Sequence, residues 1–248
     1  MLNLKDYINK PLWDCHIHNI FGRRKILNHD SIARKNIRMV NWLPYDPEFS
    51  MYRDLQLTSP VEGDILLLNA IDADEMKKAI KDTSYLGIGE INVKKTYKDP
   101  ESGELLGLWD TSILDETNLD RRPIFIHWDM ETPEDYNRLE IHVQSFPEKK
   151  HVLCHMGGNY YLQNREVLEK VPQLMKNNPN LWTDISWSTL TWVQENPSVL
   201  NQLDKNRVLV GSDLCRDPKE MREKRISQLL WIERQIPVDM NVKNLFNI

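Results

Sequence analysis

Short apolar runs recur along this chain, each followed by a polar stretch with helical character. Eight stand out: Leu12–His18, Ile37–Leu43, Asp64–Ile71, Tyr85–Val93, Pro123–Trp128, His151–Met156, Leu181–Trp187 and Arg207–Asp213. Ile65-Leu66-Leu67-Leu68 and Val208-Leu209-Val210 are apolar without alternation, the pattern of strands buried on both faces of a parallel sheet. From first to last the runs span about 195 residues, roughly 28 per interval, which suits one βα unit each.

The intervening segments carry helix signals. Asp72-Ala73-Asp74-Glu75-Met76-Lys77-Lys78-Ala79-Ile80 places acids in the first turn and lysines after it, as the helix dipole favours. Thr132-Pro133-Glu134-Asp135 is an N-cap followed by proline at the first helical position, and Asp217-Pro218-Lys219-Glu220 repeats the device. Eight strands alternating with helices predict an α/β fold, either a closed (β/α)8 TIM barrel with outer helices or an open doubly wound sheet. The strand count, and the places where polar residues fall, favour the barrel.

Composition narrows the picture. The 248 residues contain no Gly/Ser- or Pro-rich linker, so one domain over 1–248 is expected, and 40% hydrophobic content suffices for a sizeable core. A net charge of -5 argues against broad nucleic-acid or membrane binding. No apolar run approaches the roughly 18 residues of a membrane span, and the N-terminus lacks a basic-then-apolar signal pattern. The cysteines, Cys15, Cys154 and Cys215, are odd in number and lack CxxC spacing, as expected of free thiols in a reducing cytoplasm. A homo-oligomer is compatible with all of this.

The chemistry gathers at the C-terminal ends of the runs. Run one ends in His16 and His18, run four in Glu90, run five in His127, run six in His155 and run eight in Asp213. In a parallel barrel these ends open on one face. Alternation along a strand directs His16 and His18 to the same side, about 6–7 Å apart at Cα, where two imidazoles can chelate one divalent ion. His127 and His155 add nitrogen ligands, Glu90 is placed to bridge two ions, and Asp213 offers an oxygen and a proton acceptor. Buried acids and imidazoles are costly unless paired or metal-bound, so their coincidence at five strand ends points to a metal centre.

At these residues the chain resembles the amidohydrolase superfamily, more narrowly its amidohydrolase 2 branch of metal-dependent TIM-barrel hydrolases. The resemblance rests on the D-x-H-x-H strand of Asp14, His16 and His18, on His155-Met156-Gly157-Gly158, and on Gly211-Ser212-Asp213. Asn241-Val242-Lys243-Asn244-Leu245-Phe246 is similar to the family's closing helix, which implies a complete chain. The resemblance implies one or two divalent ions, Zn2+ foremost and Mn2+ second, activating water against a small-molecule ester, amide, lactone or phosphoester. It makes Asp213 the general base and His155 a group that orients or protonates the substrate. Some members of the branch are non-oxidative decarboxylases with one zinc. Glu90, standing where many superfamily members have a carboxylated lysine, resembles the bridging glutamate of TatD nucleases, although the Gly-Gly after His155 does not.

Around this set, Arg23, Trp128, Trp187 and Arg216 are candidates for substrate binding: arginines for an anionic group, tryptophans for a pocket wall. Asp14 and Asp129 share strand parity with His16 and His127 and could hydrogen-bond a ligand histidine. Cys15 and Cys154 have outward parity, which predicts packing against helices. Lys94 and Lys95 are expected to be solvated loop charges.

Overall fold

The computed structural model describes residues 12–18, 37–44, 65–69, 73–83, 85–98, 105–118, 120–159, 165–213 and 219–248. Nine strands share one sheet: β1 (Leu12–His18), β2 (Ile37–Pro44), β3 (Ile65–Asn69), β4 (Gly87–Lys98), β5 (Leu105–Trp109), β6 (Ile124–Trp128), β7 (His151–Leu153), β8 (Leu181–Ile185) and β9 (Val208–Val210). Eight of them lie in chain order, β1-β2-β3-β4-β6-β7-β8-β9, with every neighbouring pair parallel. Each predicted run holds one of these eight.

The ninth strand is an addition to the predicted pattern. β4 runs on past Val93 to Lys98, and β5 pairs antiparallel with its far half, Lys94 opposite Trp109 and Lys98 opposite Leu105. Lys94 is therefore no solvated loop charge. Its ammonium meets Asp135 at 2.7 Å and Glu131 at 3.1 Å, and the side chain is 15% exposed.

The two ends of the parallel array approach each other. The Gly211 amide donates to the Ile185 carbonyl of β8 at 3.1 Å, and the Asp213 amide donates to the His16 carbonyl of β1 at 2.7 Å. Ser212 ties the seam from its backbone and its hydroxyl, which donate to the two oxygens of Asp14 at 2.7 and 2.6 Å. Glycine is required here by proximity: a Cβ on Gly211 would stand 2.2 Å from the His16 Cβ and 2.5 Å from its nitrogen.

β6, β7, β8 and β9 are buried at every residue, which explains why apolar residues dominate them without alternation. Helices cover the sheet. The helix Pro133–Ser145 starts at a capping box between Thr132 and Asp135 and buries Leu139 and Val143. The helix Val238–Phe246 buries Val242, Leu245 and Phe246, and the Phe246 ring stacks on Phe125 of β6 at 6.3 Å. Among the described residues, no helix is long and apolar enough to cross a membrane.

Candidate metal centre

His16 on β1, Glu90 on β4, His127 on β6, His155 just past β7 and Asp213 just past β9 come together at one end of the parallel strands. One ligand atom from each of His16, Glu90 and His155 lies within 4.8 Å of the others, and all three residues are buried. The rings of His16 and His155 stand 4.5 Å apart between centroids. Asp213 adjoins them, with Oδ1 at 3.3 Å from His16 Nε2 and Oδ2 at 3.9 Å from His155 Nδ1. His127 joins from the far side of Glu90: Glu90 Oε1 lies 2.7 Å from His127 Nδ1 and 3.0 Å from His155 Nε2. Glu90 is thus held between two imidazoles.

His18 has its strand position, opposite Trp42 of β2; its side chain is not among those described, and Arg23 and Arg216 lie outside the described residues. The two tryptophans part company. Trp128 is placed in the layer between β6 and its covering helix, 2% exposed and beside the His142 ring, not at the mouth. Alternation along β6 explains this, because inward His127 makes its neighbour point outward. Trp187 is half-buried directly after Ser186, with the Arg225 guanidinium 4.5 Å over its ring.

Two residues absent from the predicted set touch it closely. Asp184, near the end of β8, places Oδ2 at 3.0 Å from His16 Nδ1, and its Oδ1 accepts the His155 amide at 3.1 Å. Ser186 Oγ lies 2.7 Å from His155 Nδ1 and also bonds Asp184 Oδ1. Asp184 and Ser186 are both fully buried. A carboxylate inside the run Leu181-Trp182-Thr183-Asp184-Ile185 was the available signal, since a buried acid demands partners. Cys154 also differs from its predicted outward orientation: its sulfur lies within 4.8 Å of ligand atoms of His16 and Asp184. Strand parity stops applying there because β7 ends at Leu153 and a turn begins.

Of the two aspartates considered as supports for ligand histidines, Asp129 contacts a ring, with Oδ1 at 3.1 Å from His127 Nε2, while its other oxygen accepts the Thr96 amide at 2.6 Å. Among the described residues, Asp14 reaches no ligand ring: it bonds the His16 backbone amide at 3.4 Å and Ser212.

The centre is electrostatically dense. Burial alone would depress the His16 pKa, but Asp184 and Asp213 outweigh it and hold it well above the usual imidazole value. Burial likewise opposes charge on His127, yet Glu90 and Asp129 lift its pKa to about 9. Glu90, though buried, is held well below the usual carboxylate range by His127 and His155. Asp14 goes the other way: burial raises its pKa to about 6 despite the hydrogen bonds from Ser212. His155 and Asp213 adopt left-handed backbone, φ 53° and 52°, a conformation that non-glycine residues rarely take and that concentrates at functional sites. Imidazole nitrogens beside carboxylate oxygens, converging from different strands, form a donor set suited to a divalent cation such as zinc.

No protein-family model matches the sequence, and no curated protein is similar to it in sequence. Solved structures are similar in fold. Amidohydrolase 2 from Bifidobacterium longum subsp. infantis superposes with a TM-score of 0.55 at 11% identity, covering 97% of this chain and 100% of that one. An amidohydrolase from Burkholderia multivorans, solved with bound zinc, gives 0.50 at 10% identity over 96% and 99% of the two chains. The 5-carboxyvanillate decarboxylase from Sphingomonas paucimobilis gives 0.50 at 12% identity over 97% and 100%. Over nearly its whole length, this chain has the fold of the amidohydrolase 2 structures.

Proposed function

We propose that the protein is a metal-dependent hydrolase of the amidohydrolase 2 branch acting on a small-molecule ester, amide, lactone or phosphoester. The observation that carries this is the buried convergence of His16, Glu90 and His155 within 4.8 Å, with Asp213 alongside. In this reading the eight parallel strands close as a (β/α)8 barrel, with the centre at its C-terminal mouth. His16, Glu90 and His155 would hold the ion, Asp213 lies beside them, and His127 fixes Glu90. A divalent ion there, Zn2+ first and Mn2+ second, would supply Lewis acidity and would bring the pKa of a water towards about 7.

Asp213 then serves as general base. Asp213 is buried, its side chain 12% exposed, and it is anchored by its own amide on His16. It takes the proton of the attacking water and returns it to the leaving group. Trp187 forms part of the pocket wall. The test is Asp213→Asn: metal content is retained and hydrolysis of the responsive substrate falls by about 10²–10⁴-fold. Hydrolysis at the full rate would remove Asp213 from this role.

One observation favours a second reading, a decarboxylase with a single ion. Glu90 Oε1 is engaged by His127 at 2.7 Å and by His155 at 3.0 Å, which leaves that oxygen poorly placed to bridge two ions. One metal per chain, with carbon dioxide released from a carboxylated aromatic, would select it.

A further inference from the structure

We propose that Asp184, acting with Ser186, is a positioning residue that decides which ring nitrogens of His16 and His155 face the centre. This rests on the reading of the centre as a metal site and adds a mechanism to it. A fully buried carboxylate needs compensation. Among the described residues, the partners of Asp184 include His16 Nδ1 at 3.0 Å, the His155 amide at 3.1 Å and the Ser186 hydroxyl, and the Cys154 thiol also bonds it.

Proton counting fixes the directions. An ionised carboxylate only accepts, so His16 Nδ1 carries the hydrogen of that bond. The Ser186 hydroxyl has one hydrogen, and Asp184 Oδ1 takes it. Ser186 Oγ must then accept from His155 Nδ1, 2.7 Å away, so this nitrogen also carries a hydrogen. Both rings are thereby held in the orientation that directs Nε2 inward. His16 Nε2 lies 3.3 Å from Asp213, and His155 Nε2 lies 3.0 Å from Glu90. One carboxylate thus sets two imidazoles contributed by strands far apart in sequence, 168 and 29 residues from it.

The backbone supports the same role. His155 and Met156 have φ of 53° and 56°, and the Asp184–His155 amide bond pins the start of that left-handed turn. Leu153 of β7 pairs with Thr183 of β8, so Asp184 is the next residue along and lies level with the turn.

The experiment compares wild type, Asp184→Asn and Ser186→Ala, all checked for fold by near-UV circular dichroism. Zinc affinity is measured by chelator competition, and ring protonation by long-range ¹H–¹⁵N NMR of the histidines. Wild type is expected to show Nδ1-protonated His16 and His155. Asp184→Asn should weaken zinc binding about 10–100-fold and change the ring patterns of both residues. Ser186→Ala should change the His155 pattern most, because Ser186 Oγ lies 2.7 Å from His155 Nδ1 but 3.4 Å from His16 Nδ1, and it carries the test if Asp184→Asn fails to fold. Zinc affinity within twofold of wild type together with unaltered ring patterns would overturn the positioning role. So would a thiolate-to-cobalt band in the Co2+-loaded protein that disappears in Cys154→Ser, because Asp184 would then share an ion with Cys154. If wild type binds no zinc, the metal-centre reading fails by itself, and the ring patterns of the two variants still decide whether Asp184 and Ser186 set the imidazoles.

Discussion

Replacing Gly211 by alanine adds one methyl group at the point where the end of the last parallel strand meets the first. That carbon would lie 2.2 Å from His16 Cβ, 2.5 Å from its nitrogen and 2.8 Å from its Cα. Carbon contacts settle near 3.5–4.0 Å, so the two segments must separate by about 1 Å or more. Two of the three nearest atoms are backbone, and no side-chain rotation relieves them. Separation stretches the bonds from the Asp213 amide to His16 and from the Ser212 amide to Asp14, both 2.7 Å. Overpacking of this kind costs about 1–3 kcal/mol, and each weakened bond about 1 kcal/mol more, for roughly 3–5 kcal/mol in all. In a chain of this length the melting temperature should fall by roughly 10 °C. Because Asp213 follows two residues later, a displacement near 1 Å should also cost about 10²-fold in turnover. Thermal unfolding read beside the rate of the zinc-loaded protein measures both. A melting temperature within about 2 °C of wild type would refute the close approach. Gly157→Ala is the control: its φ is +72°, but the nearest obstacle, at 2.6 Å, is the flexible end of Met130, so only about 1–2 kcal/mol should be lost.

Further outcomes are expected. Zinc at a hundred times its Kd should stabilise the fold by about 2.7 kcal/mol, and chelation should reverse the gain in a melting scan. Lys94→Met should lower the urea midpoint by an amount equivalent to about 1–2 kcal/mol, since Asp135 loses a 2.7 Å partner but keeps its bonds from Thr132 and Glu131. His142 and His151 pack edge to face at 5.1 Å, and burial lowers their pKa values to about 4 and about 3, with Lys149 adding to the effect on both. The unfolded chain takes up these protons below about pH 6.5 and the folded chain does not. Their contribution is therefore complete above pH 6.5 and is lost as pH falls towards 4 and 3. His142→Phe should reduce the stability difference between pH 7 and pH 5, and an unchanged difference would count against the pair as its source.

The eight parallel strands were legible because strands covered on both faces must be apolar throughout, and residues such as Leu66-Leu67-Leu68 or Val208-Leu209-Val210 have no other economical use. β5 was not. It is short, contains Gly107, and depends on the far half of β4 for its pairing. Its one local signal is Asp99-Pro100-Glu101-Ser102-Gly103 between two β-prone stretches.

His16, Glu90, His127, His155 and Asp213 could be nominated from the chain alone because strand ends in a parallel sheet share one face, so position along each run stands in for position in space. Which of them touch is a separate matter. That Glu90 lies between His127 and His155, while His16 sits against Asp213, depends on β-strand stagger and side-chain rotamers, neither of which a run of letters encodes. Parity held while the strand lasted, as His127 and Trp128 illustrate, and lapsed where β7 gives way to a left-handed turn and Cys154 comes inward.

The sequence by itself determined the succession of buried strands and the residue types waiting at their ends, because burial and hydrogen-bonding demands act locally. Only the tertiary structure decided that Asp184 meets His16 across 168 residues and that Gly211 must be bare for β1 to accept the chain's return. Contacts of that kind exist only when strands remote in sequence are brought side by side.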